Sequence, residues 1–213
     1  MRLKSLIEEA SQCQGQTVAV AAAEDEEVIE AVAMALEHRL GRFVLYGDRE
    51  QIGRLLKEKS CSRFSDVEIV HANSVGQAVE LAVRAVHLNE ADALMKGHVP
   101  TAMLLKAVLN KEYGLRTGKV LSHVAVFDVP RAGRPIIVTD AAMNIAPDLE
   151  QKVQIVNNAV GVARSIGIER PKVAALAAVE TVNPTMPATV DAAALAIMQK
   201  RGQISGCLLD GPL

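Results

Sequence analysis

Apolar positions along this chain switch between two periods. Residues 17–22, 43–46 and 67–70 are short, nearly continuous apolar runs of strand length. Between them apolar residues recur at helical spacing. Over 25–39 they are Val28, Val32, Ala35 and Leu36, and 49–59 gives a second helix. Ser74 then precedes a third that carries Val75, Val79, Ala82, Val83 and Val86, a serine placed to cap the helix start. Leu3, Leu6, Ile7 and Ala10 make a charged amphipathic helix of the N-terminus. Unbroken apolar strands alternating with amphipathic helices predict βαβ units and a parallel sheet covered by helices.

The pattern changes after Gly118. Strands are predicted over 120–127 and 135–138, joined by Val129-Pro-Arg-Ala-Gly-Arg134. That connection is too short for a crossover helix, so the two strands should pair as a hairpin. A long helix follows with Leu149, Val153, Val156, Val160 and Ala163 at near-heptad spacing. Then come a strand over 172–176, a polar loop over 180–187, a helix over 188–200 and a strand over 204–209. The change in connection style divides the chain into domains 1–120 and 121–213. It stops at Leu209-Asp-Gly-Pro-Leu213, where a strand hands over to a turn, which reads as a second domain cut short at its C-terminus.

Composition narrows the class. Half of the 213 residues are hydrophobic, yet aromatics are limited to three Phe and two Tyr. The core must be built from Ala, Val, Leu and Ile, which suits a helix-covered sheet. With 23 basic against 25 acidic residues and no aromatic platform for bases, nothing calls for a nucleic-acid partner. Cys13, Cys61 and Cys207 are odd in number and widely spaced, with neither metal-site nor disulfide spacing. The N-terminus does not read as a signal peptide, and no apolar run reaches the ~20 residues of a membrane span. A soluble, cytoplasmic protein is expected.

The chemistry-bearing segments sit at strand ends. In Ala91-Asp-Ala-Leu-Met-Lys-Gly-His-Val-Pro-Thr101 an apolar strand, expected to be buried, stops at Lys96-Gly97. Pro100 and Thr101 then open a helix with Met103, Leu104, Ala107 and Val108 inward. Backbone amides, a helix N-terminus and an ammonium group would meet at one spot, which suits a phosphate. A tight turn with a solvated lysine is the plainer alternative. Thr139-Asp-Ala-Ala-Met-Asn144-Ile-Ala-Pro147 ends another strand, with Asp148 and Gln151 spaced as a capping box. Asp140 and Asn144 there either form a turn or orient a substrate carbonyl or phosphate. Arg116 and Lys119 make a basic turn able to meet an anion. Ser122 and His123 give a polar entry to a strand, and the 180–187 loop should share a sheet edge with Asp140. No GxGxxG opens a helix after a strand, which argues against a nicotinamide site. Cys207 lies in an apolar strand and should be inert. Two such loops in an α/β chain suggest an enzyme that handles a phosphorylated small molecule.

Four stretches, in order and spacing, resemble the phosphate acetyl/butyryltransferase family, and within it the phosphate butyryltransferase branch. They are 91–101, Leu121-Ser-His-Val-Ala-Val-Phe-Asp128, 139–147 and Leu209-Asp-Gly-Pro212. The resemblance implies a two-domain, three-layer αβα fold of the isocitrate/isopropylmalate dehydrogenase-like type, the second domain incomplete, with the active site in the interdomain cleft. It implies the reaction acyl-CoA + phosphate ⇌ acyl phosphate + CoA, with coenzyme A as substrate, no other cofactor, no metal and a homo-oligomer. Family members continue past the point where this chain stops, with a Ser-Arg element of phosphate and CoA chemistry. Carried onto this sequence, Lys96, Gly97, Thr101, Arg116, Thr139 and Asn144 bind substrate, and Asp140 and Ser122 are catalytic, Asp140 accepting the thiol proton. Two relatives of the fold lack support: there is no His-His-Asp metal motif and no Asp-Ala-Met-Gly-Gly-Asp opening. An acetyl-CoA enzyme is the same-class alternative. A truncated, non-catalytic homologue that binds CoA or acyl phosphate is the other.

Overall fold

The computed structural model of the chain describes residues 3–13, 15–59 and 64–213, so Cys61 lies outside the described residues. The chain divides into two compact units, Lys4–Thr117 and Gly118–Leu213.

After helix α1 (Leu3–Ala10), the first unit runs β1 (Thr17–Ala21), α2 (Glu26–Glu37), β2 (Arg42–Gly47), α3 (Arg49–Glu58), β3 (Val67–His71), α4 (Val75–His87), β4 (Ala93–Lys96) and α5 (Thr101–Val108). The four strands form one parallel sheet in the order β3-β2-β1-β4. Pleating sends alternate residues of β1 to opposite faces. Ala19 and Ala21 pack with Ala78, Val79, Ala82 and Val83 of α4, while Val20 packs with Ile29, Val32 and Leu36 of α2 and Ile52 of α3. Two small cores of aliphatic side chains therefore sandwich the sheet, and this unit has three αβα layers.

Helix starts are set by side chains. Asp25 accepts the Glu27 and Val28 amides at 3.1 Å, Asp48 that of Gln51 at 2.7 Å, and Ser74 that of Gln77 at 3.2 Å. Each cap contributes on the order of 1 kcal/mol. The strand before Lys96 is not the buried strand that its apolar run predicts. β4 is an edge strand, paired only with β1 among the described residues; Ala93 and Lys96 are exposed and Leu94 and Met95 half-buried. The strand order also sets the position of the site. The chain moves from β1 outward to β2 and β3, then returns to the far side of β1. A crevice opens where that direction reverses, at the C-terminal ends of β1 and β4.

The second unit begins with the antiparallel hairpin β5 (Val124–Val129) and β6 (Arg134–Thr139), in a register that pairs Val124 with Thr139. A 3-10 turn, Pro130–Ala132, and Gly133 at φ 64° close it. Helix α6 (Leu149–Ser165) carries the expected capping box of Asp148 and Gln151. β7 (Lys172–Ala174), α7 (Pro187–Lys200) and β8 (Leu208–Asp210) follow, with β8 parallel to β7. Val156, Val160, Leu195, Ala196, Ile204, Cys207 and Leu209 form the core.

Three expectations need correction here. The first strand starts at Val124, so Ser122 and His123 lie in the segment before it. The last strand spans three residues, not 204–209, because Gly206 at φ 77° breaks the extended run. Finally, Asp140 and the 180–187 loop do not share a sheet edge, since β5-β6 and β7-β8 are separate two-stranded sheets. A groove of about 1140 Å³ lies between them. Its walls include consecutive residues of β6 and of β7, so each strand meets the groove edge-on; α6 and α7 contribute Ile155, Ala159, Ala192 and Leu195.

Candidate active site

Gly97 makes the crevice of the first unit. Its N–H donates to Ala21 O at 2.9 Å and the next amide, of His98, to Ala22 O at 2.8 Å. A Cβ built on Gly97 would stand 2.1 Å from Ala22 O and 2.4 Å from Ala21 O. Only glycine lets the end of β4 lie this closely on the end of β1. A groove of about 480 Å³ runs beside this contact, lined by Asp25, Glu27 and Val28 from the start of α2 and by residues 96–100. The Lys96 ammonium donates to Gly97 O at 3.2 Å, and the His98 Nδ1 lies 3.2 Å from Asp25 Oδ2. No side chain caps α5, whose N-cap is Pro100. The groove is not uniformly positive, because Asp25 and Glu27 share it with Lys96. Of the residues expected here, Lys96 and Gly97 line the groove. Thr101 and Arg116 do not; both are exposed, and Arg116 makes no hydrogen bond or ion pair among the described residues.

The second unit does bring Ser122, Thr139, Asp140 and Asn144 together, at the end of the hairpin where β5 begins and β6 ends. Thr139 Oγ1 donates to His123 O at 2.8 Å. Asn144 Nδ2 donates to Leu121 O at 3.0 Å and to Asp140 Oδ2. Asp140 Oδ1 accepts the Ala142 and Met143 amides, each at 3.0 Å. From α6, Asn158 Nδ2 donates to Ser122 Oγ at 2.8 Å and to Val120 O at 3.0 Å, while Gln154 Oε1 accepts the Val120 amide at 2.8 Å. Segment 120–123 is thus strapped from both sides. Gln154 and Asn158 escaped the sequence reading; their signal is a pair of amides one turn apart on a helix otherwise read for its apolar stripe.

Burial pushes the Asp140 carboxyl up, but the Met143, Ala142 and His123 amides and the Asn144 side chain outweigh it and bring the group down to about 2. A carboxylate so engaged is a strong turn anchor and a weak proton acceptor. The geometry therefore speaks against the thiol-proton role expected of it. Ser122, by contrast, accepts from Asn158 and keeps its own proton for donation.

A pH dependence follows from Asp140. Its folded-state value lies below that of an unperturbed aspartate, so its stabilisation is present above about pH 4 and is lost as pH falls through about 2. Asp140→Asn is expected to lower the urea midpoint at pH 7, with the gap to the unsubstituted protein narrowing steadily toward pH 2. A gap that stays constant over that range would remove the anchoring role.

Among the described residues no group of three or more His, Cys, Asp or Glu is placed to hold a metal ion, and no helix is long and apolar enough to cross a membrane. The family model for phosphate acetyl/butaryl transferase matches residues 62–213. The chain is 60% identical over 213 residues to the probable phosphate butyryltransferase of Bacillus subtilis, covering 100% of this chain and 70% of that protein. It is 50% identical over 196 residues to the phosphate butyryltransferase of Clostridium acetobutylicum, covering 92% and 65%. A branched-chain phosphotransacylase from Enterococcus faecalis V583 has a similar solved structure, with TM-score 0.77 and 32% identity over 93% of this chain and 68% of that one. The chain thus spans between 65% and 70% of the length of these relatives.

Proposed function

Since this chain belongs to the phosphate acetyl/butaryl transferase family, we propose that it interconverts acyl-CoA plus phosphate and acyl phosphate plus CoA, with a butyryl or branched short-chain acyl group. The observation that carries the reading is the 60% identity, sustained over all 213 residues, with a probable phosphate butyryltransferase. Two local arrangements support it. Lys96, beside the uncapped start of α5, offers positive charge to a phosphate. Ser122, its oxygen engaged by Asn158, offers a hydroxyl proton to a carbonyl oxygen that gains charge as phosphate attacks. Asp140 and Asn144 hold the segment that carries Ser122, which preserves its aim. Coenzyme A enters as substrate. The isocitrate/isopropylmalate dehydrogenase-like arrangement and assembly into homo-oligomers belong to the same reading.

The test is thiol release from butyryl-CoA in the presence of phosphate, followed with a thiol reagent, with acetyl-CoA alongside. Faster release from butyryl-CoA is the expected result. Faster release from acetyl-CoA would move the assignment to a phosphate acetyltransferase, as the family description allows. Release from neither would leave a non-catalytic homologue that binds CoA or acyl phosphate.

A further inference from the structure

Segment 120–123 is neither helix nor strand, yet side chains from three other segments claim its main chain. Gln154 and Asn158, four residues apart and so on one face of α6, take the Val120 amide and carbonyl. Asn144 donates to the carbonyl of Leu121 and Thr139 to that of His123, whose amide reaches Asp140. Water could satisfy these groups almost as well, so stability alone is a small return for so many bonds. What they fix in place is Ser122, the hydroxyl in their midst. We infer that Asn158 is a positioning residue, which sets the sense of the Ser122 hydroxyl so that it donates to the substrate carbonyl. This rests on the acyl-transfer reading above.

The partners force the polarity. A carbonyl only accepts, so the Asn158 atom that meets Val120 O at 3.0 Å is the amide nitrogen. That nitrogen carries two hydrogens and accepts nothing. Its second contact, with Ser122 Oγ at 2.8 Å, is therefore a donation as well. Gln154 is turned the other way for the same reason: the Val120 N–H only donates, so a side-chain oxygen meets it at 2.8 Å. With both Asn158 hydrogens engaged, Ser122 is an acceptor toward α6, and its own proton goes to none of the described residues. A hydroxyl held in this sense offers a donor to whatever binds beside it. It suits a carbonyl oxygen, which only accepts and gains negative charge as phosphate attacks. Without Asn158 the hydroxyl is free to turn a lone pair on that oxygen instead. Asn158 thus acts through Ser122 and not on the substrate itself.

A double-mutant cycle in the thiol-release assay with butyryl-CoA and phosphate tests this. Asn158→Asp keeps the shape of the side chain but replaces both donors with a carboxylate, which draws the Ser122 proton to itself. It should lower kcat about 100-fold, as the loss of one donor to a developing oxyanion does, and leave the phosphate KM little changed. In a Ser122→Ala background the same substitution should cost nothing further, because there is no hydroxyl left to aim. Its rate relative to the unsubstituted protein should also recover as pH falls toward about 4, where the introduced carboxyl gains a proton and can donate. If Asn158→Asp does not fold, Asn158→Ala carries the cycle, with a loss of about 10-fold that disappears in the Ser122→Ala background. Three results would overturn the inference alone, given turnover by the unsubstituted protein: Ser122→Ala with undiminished kcat, an Asn158 variant with undiminished kcat, or losses at the two positions that multiply. Absence of thiol release from the unsubstituted protein would overturn the acyl-transfer reading, and the positioning role with it.

Discussion

Gly97→Ala is expected to lower the stability of the first unit by ~3 kcal/mol from overpacking, with about 1 kcal/mol more for a strained backbone hydrogen bond. The added methyl would have to sit 2.1 Å and 2.4 Å from two carbonyl oxygens, those of Ala22 and Ala21. Both are backbone atoms at the C-terminal end of β1, Ala21 its last residue and Ala22 the next, so neither can move aside as a flexible side chain would. The same oxygens accept the His98 and Gly97 amides. Relief therefore means peeling the end of β4 off β1, which costs those bonds and displaces Lys96 with them. A domain is typically held by about 5–15 kcal/mol, so this single methyl removes a large share. Gly53→Ala, in the middle of α3 with nothing within 4 Å of its Cβ, serves as control and should gain up to about 1 kcal/mol. Urea unfolding of both variants decides the matter. A Gly97→Ala protein within about 1 kcal/mol of the parent would mean that the strand edge yields freely.

Lys96→Met should raise the phosphate KM by roughly 10- to 100-fold, the factor that corresponds to one charge-assisted hydrogen bond. Methionine keeps most of the alkyl stem and removes only the ammonium group. In the protein as it stands that group donates to the carbonyl of its own neighbour at 3.2 Å, a contact cheaply exchanged for a phosphate oxygen. Asp25 and Glu27 line the same groove, so without Lys96 an entering dianion meets net negative charge. Because the lysine is exposed, the effect should shrink as ionic strength rises. The KM for acyl-CoA should change much less. Steady-state kinetics with phosphate varied at saturating butyryl-CoA is the check, and an unaltered phosphate KM would refute the role assigned to Lys96.

Most of the first unit can be read from local signals because those signals and the tertiary packing agree. Asp25, Asp48 and Ser74 cap helices where the polar-to-apolar transitions lie, and the alternation of β1 matches the two cores on either side of it. The edge position of β4 is not legible in this way. An Ala-Leu-Met run looks alike in a central or an outer strand, and strand order depends on where the chain returns after β3. In the second unit, the sequence places Asp140 and Asn144 in one loop after a strand, and the structure adds that the two side chains meet. The weak basicity of Asp140 does not follow from spacing, since backbone amides produce it and any residue could supply them. The late start of β5 has a similar origin. Gln154, Asn158, Asn144 and Thr139 claim the backbone of 120–123 from a distance, and no propensity of Ser122 or His123 announces them.

The paired ribbons of the second unit also bear on how this protein behaves in company. Within the described residues β6 has β5 as its sole neighbour and β7 has β8, so half of the main-chain donors and acceptors of each look outward over greasy helical surface. Such rims are sticky templates for any stretched polypeptide that can satisfy them. Arg134 and Lys172, charged and exposed at the strand starts, are the main deterrents there. Handling at high concentration, or in salt strong enough to mute those two cations, invites clumping.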